Sequence, residues 1–82
     1  MPVPPAELSA QFTVDGPDGA QAAAVRAAEP SGLAREAGPG ATVLTGPRDE
    51  VLAALHDAVA AALDAGARGL EVRIETPTQA RP

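Results

Sequence analysis

Residues 41–75, ATVLTGPRDEVLAALHDAVAAALDAGARGLEVRIE, decide the fold, because they hold two strands and the helix between them with every boundary marked. Ala41 to Thr45 is rich in β-branched residues and predicts a strand. Gly46-Pro47-Arg48-Asp49-Glu50 then opens a helix, with Pro near its first position and two acids in its first turn, where the positive end of the helix dipole favours them. Val51, Leu52, Leu55, Val59 and Leu63, reinforced by Ala58 and Ala62, recur at three- and four-residue steps and predict one apolar stripe. Gly66 ends that helix as a left-handed cap. Beyond Ala67-Arg68-Gly69, Leu70 to Glu75 alternates without a fault, which predicts a strand with Leu, Val and Ile on one face and Glu71, Arg73 and Glu75 on the other.

Working outward, Leu33 to Ala37 and the turn Gly38-Pro39-Gly40 complete a hairpin with the strand at Ala41. Before it, an alanine-rich helix spans Ala20 to about Glu29, with Asp18 as its expected cap and Pro30, Ser31 and Gly32 as its stop. Leu8 to Val14 alternates in steps of two and predicts the first strand, followed by the turn Asp15-Gly16-Pro17-Asp18-Gly19. The order is strand, helix, strand, strand, helix, strand. With right-handed crossovers this gives an α+β split β-α-β sandwich, a four-stranded antiparallel sheet with both helices on one face. The other face is left open, with Gln11, Thr13, Glu71 and Arg73 expected on it. Met1 to Glu7, with three prolines, reads as a disordered leader and residues 76–82 as a flexible tail, leaving residues 8–75 as the single folded domain.

Composition limits what such a domain can do. Twenty of the apolar residues are alanine, which leaves 17 larger ones, so the core is thin. Small domains so placed add disulfides, metals or partner subunits, and the absence of Cys directs the expectation to self-association. Six Arg and no Lys against 11 acids give a net charge of −5, which argues against nucleic acid and anionic membranes as partners. No apolar run reaches the roughly 18 residues of a membrane span, and Met1 to Ala10 has no signal-peptide pattern, so a cytoplasmic protein is expected.

Catalytic signals are sparse. With no Cys, Tyr or Lys and a single His, neither a metal cluster nor a Cys-His pair can be assembled within one chain, so no catalytic residue, metal or cofactor is expected. His56 sits on the flank of the apolar stripe and reads as a solvent-exposed helical residue. Ser9 and Ser31 have no nucleophile-elbow context. GPGATVLTG, residues 38–46, lacks the Lys of a Walker loop and the spacing of a dinucleotide fingerprint, and reads as a hairpin turn.

Several stretches at matching distances resemble the small thiamine-binding-protein family, whose members are ferredoxin-like β-α-β-β-α-β modules. Gly32-Leu33-Ala34-Arg35-Glu36 is similar to the family's Gly-Leu-x-x-Glu strand, and Gly38 to Gly46 to its x-Pro-x-Gly-Thr-x-x-Glu-Gly hairpin. Asp49-Glu50-Val51, Asp64-Ala65-Gly66-Ala67-Arg68 and Ala10-Gln11-Phe12-Thr13-Val14 resemble its helix start, helix end and first strand. The departures are Gln11 for an acid, Ala41 for a glycine, Thr45 for the hairpin glutamate, and a shorter link from Asp15 to Pro30. The resemblance implies a non-catalytic protein that binds thiamine or its hydroxymethylpyrimidine portion and assembles into dimers or tetramers through its sheets. Thr42 matches a family motif position outright, while Gln11 and Thr13 match in place and polarity, so these three are the expected ligand-binding residues. The alternative, motivated by the two lost acids, is a structural or interaction module of the same fold that no longer binds a ligand. A third, less favoured reading is an enzyme that uses the open face.

Overall fold

The computed structural model describes residues 7–38 and 40–76, so the expected leader and tail lie almost wholly outside the described residues. Its elements are β1 (Glu7–Asp15), α1 (Asp18–Ala28), a single 3₁₀ turn (Glu29–Ser31), β2 (Ala34–Gly38), β3 (Ala41–Pro47), α2 (Arg48–Asp64) and β4 (Gly69–Glu75). Glu7, assigned to the leader by its proline-rich neighbours, belongs to β1 and pairs with Pro47. The strands form one sheet in the order β2-β3-β1-β4, with every neighbouring pair antiparallel. This is the ferredoxin-like β-α-β-β-α-β arrangement.

The core follows from the alternation in β1. Leu8, Ala10 and Phe12 are buried beneath the helices, whereas Gln11 and Thr13 on the opposite face are exposed. Leu44 of β3 and Val51 of α2 are, with Phe12, the largest fully buried side chains. Alanine supplies the rest. Ala20, Ala24 and Ala28 lie at four-residue steps on α1, Ala54, Ala58 and Ala62 do the same on α2, and all six are buried where the helices pack on one another and on the sheet. Rows of methyl groups let the backbones approach closely and leave no room for longer side chains. Ala24→Leu is therefore expected to destabilise the domain by about 1–3 kcal/mol. Urea unfolding followed by circular dichroism measures this, and a change under about 0.5 kcal/mol would show that the helices are not closely packed.

The helix ends are set by backbone geometry. At α1 the N-cap position is Pro17, no side chain caps the helix, and Asp18 lies inside the first turn. The expected Asp18 cap is thus one residue out of place, and its carboxylate acts only through the helix dipole. At the C-terminus of α2 the Ala67 N–H donates to the Ala62 carbonyl at 2.9 Å and the Gly66 N–H to the Leu63 carbonyl at 3.1 Å. These are the paired bonds of a Schellman cap, with Gly66 at φ 98° as expected. The loop that follows crosses Gly16, where a Cβ would lie 3.0 Å from the Ala67 Cα.

Two readings of apolar pattern need correction. Of the predicted α2 stripe, Val51, Leu55, Ala58 and Ala62 are buried together with Ala54, but Leu52 and Leu63 are exposed and Val59 is half-buried. At 100° per residue these three lie on one flank of α2. The opposite flank, through Glu50, Ala53 and Asp57, shares a groove with Ala27 and Pro30 near the end of α1. The leucine flank is accordingly turned toward β4. In that strand Val72 pairs with Phe12 and Ile74 with Ala10, so both share the helix side of the sheet, yet they are 41% and 48% exposed. β4 is an edge strand, and the two helices do not reach across it.

Candidate functional site

Strand register determines which expected ligand-binding residues meet. Phe12 pairs directly with Thr42, and directly opposed residues project to the same face, so Thr42 lies on the helix side of the sheet. Gln11 and Thr13 are one residue out of phase with Phe12 and lie on the open face. A single chain therefore brings Gln11 and Thr13 together and keeps Thr42 apart from them.

On the open face, Gln11 and Thr13 border a shallow groove of about 430 Å³ with Glu71, Val72 and Arg73. Gln11 stands directly between Val43 and Arg73 in the ladder, and Thr13 between Ala41 and Glu71. The Arg73 guanidinium turns along its own strand to Glu75, with Nε donating to Oε2 at 3.1 Å. Both partners are largely exposed, and the surface is wet and nearly flat.

Thr42 occupies a different setting. It is 5% exposed and lines a cleft of about 360 Å³ between α1 and the β2–β3 hairpin. From α1 and its C-cap, Gln21, Val25 and Glu29 line it at four-residue steps, as one row of a helix face must. From the sheet come Ala34, Arg35, Glu36 and Ala41, with Glu36 directly opposite Thr42 on the neighbouring strand. The Gln21 Oε1 lies 4.0 Å from the point where Gly40 would carry a Cβ, so the hairpin turn comes close to the helix at one end of the cleft. Gly40 has φ 77°, a conformation that favours glycine and holds the turn in place.

The cleft thus combines an apolar floor, a hydroxyl, an amide and two carboxylates, with the exposed Arg35 beside them. Among the described residues no side-chain hydrogen bond engages Thr42. A hydroxyl and an amide can each donate and accept, and a carboxylate accepts from a cationic or amino group. This donor set suits a flat heterocycle bearing ring nitrogens and an amino group.

No protein-family model matches the chain, and no curated protein matches it. A solved structure does. The structure of a domain of unknown function, DUF77, from Bacillus cereus superposes with a TM-score of 0.66 at 23% sequence identity, covering 89% of this chain and 76% of that one. The likeness is one of fold. It places the β-α-β-β-α-β order and the strand arrangement in a second protein, and carries no activity with it.

The carboxylates of the cleft were not among the expected site residues. In the sequence Glu36 stands only as part of a strand motif, and Glu29 as the end of a helix. The signal for the α1 wall was the four-residue spacing of Gln21, Val25 and Glu29, which is obscured by the alanines between them. The other polar candidates have local roles. Ser31 Oγ donates to the Ala28 carbonyl at 2.7 Å and accepts from the Leu33 N–H at 3.0 Å, which closes the 3₁₀ turn. His56 is 83% exposed on the outer side of α2, 3.7 Å from the carboxylate of its neighbour Asp57.

Proposed function

We propose that the protein is a non-catalytic binding module for thiamine or its hydroxymethylpyrimidine portion, held in the cleft between α1 and the β2–β3 hairpin. The observation that carries this reading is the meeting of Thr42 with Glu36 and the Gln21–Val25–Glu29 row in a cavity of about 360 Å³, a size at the lower end of small-ligand sites. A pyrimidine ring fits against Val25 and Ala34. Its amino group donates to Glu36 or Glu29, and its ring nitrogens take hydrogen bonds from Gln21 and Thr42. The open face carries Gln11 and Thr45 at the positions of the family's acids, so the negative charge that a cationic ligand requires comes from the helix side, from Glu29 and Glu36, in excess over the neighbouring Arg35. The sequence resemblance to thiamine-binding proteins supports the ligand class, and the fold likeness to the Bacillus cereus domain is compatible with it.

Titration calorimetry with thiamine and with hydroxymethylpyrimidine tests the proposal. Saturable heat is expected with both, and Thr42→Val, which keeps the shape and removes the hydroxyl, is expected to weaken binding about tenfold. Absence of heat at millimolar ligand would overturn the reading. The open, polar sheet face favours the alternative of a module that serves assembly alone, and that alternative requires that neither compound raise the melting temperature.

A further inference from the structure

We infer that the cleft selects a whole class of ligand, the 4-aminopyrimidines, with Glu36 as the residue that reads the amino group, so that it takes free cytosine as well as the compounds proposed above. The inference rests on the reading of this cleft as the binding site and deepens it.

Most polar groups of the cleft discriminate little. The Thr42 hydroxyl rotates to donate or accept, and the Gln21 amide offers a donor at one end and an acceptor at the other. Thr42 is only 5% exposed, no side-chain hydrogen bond engages it among the described residues, and its oxygen is not sealed off, so the hydroxyl is left for a ligand. An ionised carboxylate is different, because it only accepts. Against an amino group it gains a charge-assisted bond, whereas against a methyl group it gains none and loses water. Selectivity therefore lies with the carboxylate that stands where the edge of the ring falls.

Register decides which carboxylate that is. The turn at Gly40 comes close to Gln21. From Gln21, Val25 lies one turn along α1, about 6 Å, and Glu29 two turns, about 12 Å. On the sheet Thr42 lies two residues beyond Gly40, about 7 Å, which sets it level with Val25. Glu36 pairs directly with Thr42, their Cβ atoms about 5 Å apart. A ring seated on Val25 and Ala34 thus meets Gln21, Thr42 and Glu36 along one edge, while Glu29 stands a further turn away. Arg35 pairs with Val43, one residue out of phase with Glu36, so it belongs to the other face of the strand and borders the cleft from the sheet edge. Glu36 is accordingly the acceptor for an amino group whose neighbouring ring nitrogen is bonded by Thr42 or Gln21. No group in this set reads the remaining ring positions, and a cavity of about 360 Å³ is larger than one six-membered ring. Cytosine presents the same edge, an amino group beside an unprotonated ring nitrogen.

Titration calorimetry with cytosine, thiamine, hydroxymethylpyrimidine, 4-aminopyrimidine and 4-methylpyrimidine tests the inference. The last two share an outline and differ in the donor. Cytosine is expected to bind within about tenfold of hydroxymethylpyrimidine, and 4-aminopyrimidine at least about tenfold more tightly than 4-methylpyrimidine. That preference is expected to shrink to about twofold in Glu36→Leu and to persist in Glu29→Leu. Both positions are exposed and outside the hydrophobic cluster, so both variants are expected to fold, which circular dichroism checks. The inference is overturned, with the site itself intact, if hydroxymethylpyrimidine binds and cytosine does not, if the preference survives in Glu36→Leu or vanishes in Glu29→Leu, or if Glu36→Leu weakens both paired compounds alike. Binding of cytosine and 4-aminopyrimidine with neither thiamine nor hydroxymethylpyrimidine would instead overturn the thiamine reading and leave the class selection standing. No heat from any compound at millimolar concentration would overturn both.

Discussion

Phe12→Ala is expected to remove about 3–5 kcal/mol of stability, which is the largest effect of any single substitution in this chain. Phe12 is the sole aromatic residue and is buried to within 1%. It stands in the central strand β1 with Thr42 on one side and Val72 on the other, under the alanine faces of both helices. Those helices cannot readily fill the void, because their buried faces are mainly methyl groups and the larger side chains of α2, Val51 and Leu55, are already packed in the same core. A domain of 82 residues has a total stability of about 4–12 kcal/mol, so the variant should be largely unfolded near the lower end of that range. Loss of the cooperative thermal transition in circular dichroism is the expected result. A transition shifted by only a few degrees would show that the core is centred elsewhere.

The second large effect concerns binding. Glu36→Lys is expected to weaken thiamine or hydroxymethylpyrimidine binding by about a hundredfold or more, because it removes a charge-assisted acceptor and places a cation against a cationic ligand. Glu36 is exposed at the mouth of the cleft and belongs to no hydrophobic cluster, so the melting temperature of the ligand-free variant should move by no more than a few degrees. The control is Gln11→Ala. Gln11 lies across the sheet from the cleft, and its truncation should leave affinity within about twofold of the natural chain. If the two variants exchanged these behaviours, the ligand would sit on the open face.

The order of elements was legible in the sequence because each boundary carries its own local chemistry. Gly66 shows a Schellman cap, Gly40 a turn at positive φ, and Leu8 to Val14 and Leu70 to Glu75 an alternation that any half-buried strand displays. Coverage was not legible. Alternation in β4 tells which side chains share a face but not whether a helix lies over them, and Val72 and Ile74 turned out exposed because the sheet extends one strand beyond α2. The same ambiguity applies to α2, where Leu52 and Leu63 fit a helical stripe as well as Ala54 and Ala58 do. Packing against α1 chose the small residues, since only they permit close approach.

The candidate site was legible residue by residue and not as an assembly. Thr42 stands out by its place in the hairpin motif, but its face depends on the pairing of β1 with β3, which joins residues thirty positions apart. Its acidic partners became visible only when α1 and β2, separated by the 3₁₀ turn, were set side by side.

Chemical-shift mapping of the isotopically labelled protein during titration with hydroxymethylpyrimidine tests the central claim most directly. The largest saturable changes are expected at the amides of Gln21, Val25, Glu36 and Thr42, with Ser9, Gln11 and Thr13 shifting little. Changes concentrated on Gln11, Thr13 and Arg73, or none at all at millimolar ligand, would contradict it.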